Sequence, residues 1–389
     1  MDIPPPISEA SRHGISPQLN HDERARFNFE ASLYKVIAKE LSPGNEMVYN
    51  KRVLPAFEKK AGRKPENRHE VRKAMNSDPY HNFWGALRRN TMEMRQVNGQ
   101  FMTLRQLDAL AERAARLNKG SDRLELDPDL KTPPYVSEVD HHCMPGSYHR
   151  ELVEGDVAPA ANYDTGFFVT TTGSIGGFCD AAGQAISNWI KTNHPDFEPK
   201  TILDVGCAVG NSLLPIATAF PKAQIEAIDV SAPMLRYAHA RASSLGVNNI
   251  SFKQISGENL SRFEDGQFDI VLTSIFLHEL STKSLPRIMS EMYRVLKPGG
   301  LMIHLEQPQY HDDMPLFEQF MRDWDSYNNN EPFWSAMHEI DLTGLMYDLG
   351  FDKDNVWHAS MTSLSRLEDE KAAEDHGRAA AWHAYVGRK

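Results

Sequence analysis

Cysteine is scarce in this sequence. The 389 residues include only Cys143, Cys179 and Cys207, widely spaced. That excludes a disulfide framework and points to a reducing compartment, the cytoplasm. Long apolar runs are also missing, which excludes a helical membrane span. The N-terminus opens on Met1-Asp2-Ile3-Pro4-Pro5-Pro6, without a basic start and an apolar stretch, so no secretory signal is expected. Positive charge is in deficit: the formal net charge of −11 argues against general affinity for nucleic acid or an anionic membrane. There is no G-x-S-x-G elbow and hence no support for serine-hydrolase chemistry. Internal repeats are absent too.

What is present suits a soluble chain of two domains, with 41% hydrophobic and 24% charged residues. Residues 1–20 are Pro-rich and polar and read as a loose tail. Residues 21–160 read as an α-rich domain, a cap or a dimerisation element. One helix is expected over Asp22–Leu41, with Leu33, Ile37 and Leu41 on a stripe. A second is expected over Leu104–Asn118, with Thr103 and Gln106 as its capping box. Residues 121–160 read as a linker or irregular loop. Residues 51–100 hold twelve Lys or Arg against five acids, which reads first as solvated helix faces and second as a contact for an acidic partner.

After Lys200 short apolar runs alternate with amphipathic stretches, the signature of β-α-β units. Strands are expected at Thr201–Val205, Gln224–Ile228, Ile250–Lys253, Phe268–Thr273, Leu301–Leu305, Val356–Met361 and Trp382–Val386. Helices are expected at Ser212–Phe220, Ala232–Ser244, Ser284–Leu296 and Leu342–Leu349, with an insertion at about 307–341. The fold class is α/β: a Rossmann-like sheet preceded by an α-rich region.

The first expected strand runs into Leu203-Asp204-Val205-Gly206-Cys207-Ala208-Val209-Gly210-Asn211-Ser212. Gly206 and Gly210 let backbone approach a ligand, as a dinucleotide site or an ordinary tight turn also wants. Asp204 stands where a pyrophosphate gains nothing from a negative charge, but where a ligand with an ammonium and a sulfonium does. The next strand ends in Asp229, about 20 residues after the turn, where an acid can accept bonds from a ribose diol.

Four stretches in order carry a resemblance: Leu203–Gly210, Ile228-Asp229-Val230-Ser231, Phe268-Asp269-Ile270-Val271, and Arg294-Val295-Leu296-Lys297-Pro298-Gly299-Gly300. Residues 201–300 resemble class I S-adenosylmethionine (SAM)-dependent methyltransferases, in the ubiquinone/menaquinone-methyltransferase-like branch. The resemblance implies a seven-stranded methyltransferase sheet over residues 161–389 and SAM as cofactor. It places Asp204, Gly206 and Gly210 at the amino-acid end of SAM, with Cys207, Ala208 and Ser274 in the same set. Asp229 would hold the ribose, and Val230 and Met234 would flank the adenine. Ser256-Gly257-Glu258 would meet the adenine edge. Ala208 stands where the family has its middle glycine, and Ser256 or a neighbour where it often has Asp.

For chemistry, His278 lies just beyond the fourth strand of this set and resembles the His at that place in many O-methyltransferases. General base and structural loop residue weigh evenly there. Glu279 reads as facing solvent. The insertion carries Tyr310, Phe317, Phe320, Trp324, Tyr327, Phe333 and Trp334, most of them expected as core of a small cap and some as a pocket wall. Tyr163 to Phe168 reads as a lid. His141-His142-Cys143 with His149, and His311-Asp312-Asp313, match no known zinc spacing, so no metal is expected. The leading function is methyl transfer to a small aromatic or apolar molecule at oxygen, without membrane or nucleic-acid partners. A homodimer through the N-terminal helices is an allowed assembly. The alternatives are C- or N-methylation, a nicotinamide oxidoreductase, and a non-catalytic scaffold using the basic segment.

Overall fold

A computed structural model describes residues 3–362 and 381–389. Its centre is a sheet of eight strands: β1 Leu124–Glu125, β2 Thr201–Val205, β3 Gln224–Asp229, β4 Ile250–Gln254, β5 Phe268–Ser274, β6 Leu296–Leu305, β7 Val356–Thr362 and β8 Ala381–Arg388. Their spatial order is β1-β4-β3-β2-β5-β6-β8-β7. The first six pair in parallel, and β8 lies antiparallel between β6 and β7. All seven expected strands are present. The eighth, β1, comes from the segment expected to be a linker: two residues pair with Phe252 and Lys253 of β4 and cover an otherwise open edge.

Both faces of the sheet are buried, as parallel strands require. Successive residues point to opposite faces. Ile202, Ile270 and Leu272 pack with helices Ala181–Asn193 and Leu213–Ala219. Leu203, Val205 and Val271 pack with helices Ser284–Val295 and Leu342–Leu349. From β2 the chain builds outward through β3 and β4; from β5 it builds the other way through β6. The carboxyl ends of β2 and β5 therefore flank a topological switch point, where open α/β sheets bind ligands.

The N-terminal part is helical, with differences from expectation. The first helix, His21–Val36, starts at a capping box between Asn20 and Glu23 and continues as a π-helical turn, Ile37–Leu41. A 26-residue helix, Pro79–Leu104, dominates the region, yet its stripe is illegible because Arg88, Arg95 and Gln96 are buried within it. The helix expected from Leu104 starts at Leu107, and Thr103 does not cap it. Thr103 sits in the last turn of the long helix and donates to the Gln100 carbonyl at 3.1 Å.

The tail expected to be loose is packed over its described part. Ile7 and Ile15 are buried, and Ser11 N–H donates to the Gly177 carbonyl at 2.9 Å. The helical region also shares cores with the rest of the molecule: Phe27 and Trp84 meet Phe168 and Trp324, and Ile15 and Leu110 meet Val209 and Met234. The basic segment is not simply a solvated face. Arg68 and Arg72 each hold Asp323 Oδ2 at 2.6 Å, and Arg88 reaches Asp325 at 3.3 Å. Much of the positive surplus thus clamps the insertion after β6, whose helices are Leu316–Arg322, Trp324–Asn328 and Trp334–Glu339.

Candidate active site

The turn after β2 is shaped by left-handed backbone. Gly206 has φ +79°, and an added Cβ would meet the Phe276 ring at 2.3 Å, so only glycine fits. Ala208 also takes a positive φ, +45°, where a side chain is strained. Asp229, at the tip of β3, fastens this turn to the next helix. Its Oδ2 accepts from Ala208 N–H and its Oδ1 from Ser231 N–H, both at 2.9 Å. Ser231 in turn caps helix Ala232–Ser244 through Met234 N–H. Asp204 is 3% exposed and receives no side-chain hydrogen bond among the described residues. Burial, and then the charge of Asp229, push its carboxyl up to about 7. The same surroundings hold the Cys207 thiol well above its usual range, hence neutral.

A cavity with about 260 Å³ of water-accessible space opens from this turn. Nine of the thirteen residues assigned from the sequence to the cofactor and to catalysis line it: Asp204, Gly206, Cys207, Ala208, Asp229, Val230, Met234, Ser274 and His278. Gly210, Ser256, Gly257 and Glu258 do not. Gly210 closes the turn through its N–H to the Cys207 carbonyl, at 2.9 Å. Ser256 Oγ accepts from Glu258 N–H, Gly257 packs on Val205, and Glu258 faces Arg287 on the outside. In the cavity wall stand instead Tyr135 and Val136, from the Pro-flanked segment read as a loop.

His278 is 1% exposed in a 3-10 turn after β5. Its Nδ1 lies 3.0 and 3.1 Å from the two oxygens of Glu306, which follows β6 directly. Glu306 is itself fixed by Leu277 and Gln307 N–H groups, each at 2.8 Å. Burial works to lower the imidazole's pKa, but the Glu306 charge outweighs it and holds the ring at about 9. Trp334 covers the ring at 4.2 Å. Glu306 escaped the sequence reading, although an acid at a strand's carboxyl end was the available signal.

Glu279 does not face solvent. It lines the cavity and accepts from Tyr148 Oη–H at 2.8 Å. Burial favours its neutral form, yet His141, His142 and His278 hold its pKa well below the usual carboxylate range. Of the insertion's aromatics only Trp334 lines the cavity. Phe320 and Trp324 are core, as expected of most, and Tyr327 is exposed. Tyr163 and Phe167 also line it, from a regular helix, Ala158–Thr170, rather than a lid loop. The N-terminal helices contribute Tyr34, Met92 and Arg95, which no local pattern announced.

Residues 202–300 match the family described as a methyltransferase domain. The same span contains the glycine turn, the β3 acid and the switch point. These residues form a class I SAM-dependent methyltransferase domain. The chain is 34% identical over 137 residues to a demethylmenaquinone methyltransferase of Symbiobacterium thermophilum, covering 33% of this chain and 53% of that one. It is 30% identical over 160 residues to norajmaline N-methyltransferase of Rauvolfia serpentina, covering 40% and 52%. The chain spans about half the length of the curated relatives it matches. Among solved structures, the phosphoethanolamine N-methyltransferase 2 of Haemonchus contortus with SAM aligns at TM-score 0.43 and 20% identity, over 58% of this chain and 57% of that one.

The methyltransferase domain's own residues fit SAM. Asp204 is a buried carboxylate that lacks a cation, and an ammonium supplies one. Each oxygen of Asp229 accepts one backbone bond and keeps a further lone pair for a ribose hydroxyl.

Proposed function

We propose that this chain is a SAM-dependent methyltransferase acting on a small, aromatic or otherwise apolar acceptor, with oxygen as the methylated atom. One observation carries the reading: a single cavity joins Asp204 and Asp229 to His278 and to a wall of Tyr163, Phe167 and Trp334. SAM, when bound, supplies an electrophilic methyl group on a sulfonium. The chain's part is alignment and proton removal. Holding donor and acceptor in line contributes several kcal/mol toward the barrier.

The Glu306 carboxylate fixes His278 through Nδ1, which leaves Nε2 for the acceptor. In the proposed step the acceptor oxygen forms its bond to the methyl carbon as the carbon–sulfur bond breaks. The hydroxyl proton passes to Nε2 of the neutral imidazole, the form that predominates only above about pH 9, so the positive charge lost at sulfur reappears on the ring and the rate rises toward that pH. Arg95 is 7% exposed and has no hydrogen-bond or ion-pair partner among the described residues. Its guanidinium lines the cavity and suits an acidic group on the acceptor. Self-association through the N-terminal helices remains part of the proposal, supported by Phe83, Val97, Phe101 and Leu104, all exposed on the long helix.

The test uses SAM labelled in its methyl group and a panel of phenols with and without a carboxylate. Label should appear on oxygen, and His278→Ala should lower kcat by about 10²–10⁴-fold at unchanged SAM affinity. Label on nitrogen or carbon, or an unchanged kcat, contradicts the proposal.

A further inference from the structure

The His-His pair read from sequence as an ordinary polar loop does not behave as one. His141 is fully buried, and its Nε2–H donates to the Tyr135 carbonyl at 2.8 Å. That bond occupies Nε2 and turns Nδ1 inward between two carboxylates, where either a proton or a metal ion can neutralise them. Nδ1 lies 2.6 Å from Glu279 Oε2 and 3.7 Å from Glu331 Oε2. Three chain segments far apart in sequence meet here, and their ligand atoms lie within 4.8 Å of one another.

His141 Nδ1 and Glu279 Oε2 stand at ion-pair distance, as do His142 Nδ1 and Glu331 Oε1, but none of these contacts is aligned as a hydrogen bond. His141 Nδ1, Glu279 Oε2 and both oxygens of Glu331 are buried and lack any aligned hydrogen-bond donor or acceptor among the described residues. Glu331 is 0% exposed. A fully buried and a half-buried carboxylate facing one imidazole are costly unless a cation, the imidazolium itself or a metal ion, sits among them. The surrounding groups are those of an outer ligand shell. Tyr148 Oη–H donates to the remaining oxygen of Glu279 at 2.8 Å. His142 flanks Glu331, with Nδ1 2.8 Å from Oε1, and Asn329 holds the same ring nitrogen at 3.2 Å. His142 and Cys143 take positive φ values, 53° and 58°, so the backbone is strained where it presents the pair.

We propose that His141 Nδ1, Glu279 and Glu331 bind one divalent transition-metal ion in the cavity wall, beside His278. One imidazole and two carboxylates suit Mn²⁺, Fe²⁺, Co²⁺ or Zn²⁺ rather than Mg²⁺ or Ca²⁺, which prefer all-oxygen sites. Three protein ligands leave coordination positions open, and Glu279 and His142 line the cavity that would supply an outside ligand. Cys143 is not part of the set, because its thiol points at Asn329 Oδ1 at 3.9 Å. His311-Asp312-Asp313 is exposed and joins no cluster of ligands among the described residues.

The experiment strips the full chain with a chelator and reloads it with each ion in turn. After desalting, metal content is read by mass spectrometry, and the Co²⁺ form by visible absorption. The wild type should retain about one transition-metal ion per chain, and its Co²⁺ form should show ligand-field bands. Glu331→Gln and His141→Asn should each weaken Co²⁺ binding by at least about tenfold, the loss that outer-shell changes alone produce. S-Adenosylhomocysteine binding by the same variants reports separately on the fold and the donor site. A wild type that retains no transition ion, or only Mg²⁺ or Ca²⁺, overturns the proposal. So do folded variants that hold metal as tightly as the wild type.

Discussion

The two ends of the cavity are built in opposite ways. The donor end is made by one short stretch of chain: Asp204 through Ala208, then Asp229 through Met234 on the neighbouring strand and helix. The acceptor end is gathered from the whole molecule. Tyr34 and Arg95 come from N-terminal helices, His142 and Tyr148 from the segment between β1 and β2, His278 and Glu279 from the turn after β5, and Trp334 from the insertion. A cofactor site shared across a family can be local, because its ligand does not change. An acceptor site can be rebuilt by changing what is laid over the sheet, without touching the strands beneath.

This contrast can be broken by substitution. The largest effect is expected at the clamp between the basic segment and the insertion. Asp323 has a fully buried side chain that holds Arg68 and Arg72. Asp323→Ala leaves Arg72 without its carboxylate and Arg68 with only the exposed Glu339, and should cost about 3–5 kcal/mol in urea unfolding. SAM affinity of the folded variant should change little. A proportional loss of SAM binding would mean that the two ends are one unit.

Asp229→Ala should act at the other end. It should weaken SAM binding by about 1.5–3 kcal/mol for each charge-assisted bond lost, measured by calorimetry. An unchanged affinity would remove the ribose assignment. A smaller effect follows from Asp204, whose carboxyl titrates at about 7 beside Asp229 and the neutral Cys207 thiol. A cationic ligand needs the ionised form. Affinity should be full above about 7 and fall as the pH drops below it, by up to about tenfold per unit. Affinity flat across that window contradicts a charge pair at Asp204. The smallest effect is expected at Ala208. Ala208→Gly relieves the strain at φ +45° and should raise stability by no more than about 1 kcal/mol. A loss of stability would show that the methyl group packs productively.

The same contrast governs what the sequence reveals. The strand Thr201–Val205 and the helices Ala232–Ser244 and Leu342–Leu349 can be read to the residue, because apolar period and stop signals agree there. Helix Pro79–Leu104 cannot, since its buried face includes Arg88, Arg95 and Gln96, whose partners lie elsewhere. β1 is too short to show a period and exists because β4 has an edge to cover. In the site, Asp204 and Asp229 are legible as local chemistry. Glu306 beside His278, and Glu331 beside His141, are not, because pairing across about 28 and 190 residues leaves no trace in spacing. Ser256-Gly257-Glu258, placed by its position along the chain, is not among the residues that line the cavity, so only a bound ligand tests that assignment.

Calorimetric titration of the wild-type chain with SAM, alongside NAD, tests the central claim most directly. Saturable heat for SAM near one site per chain, strengthening as the pH rises through 7, and none for NAD, is the expected result. No heat with SAM from a folded, monodisperse sample would contradict the account.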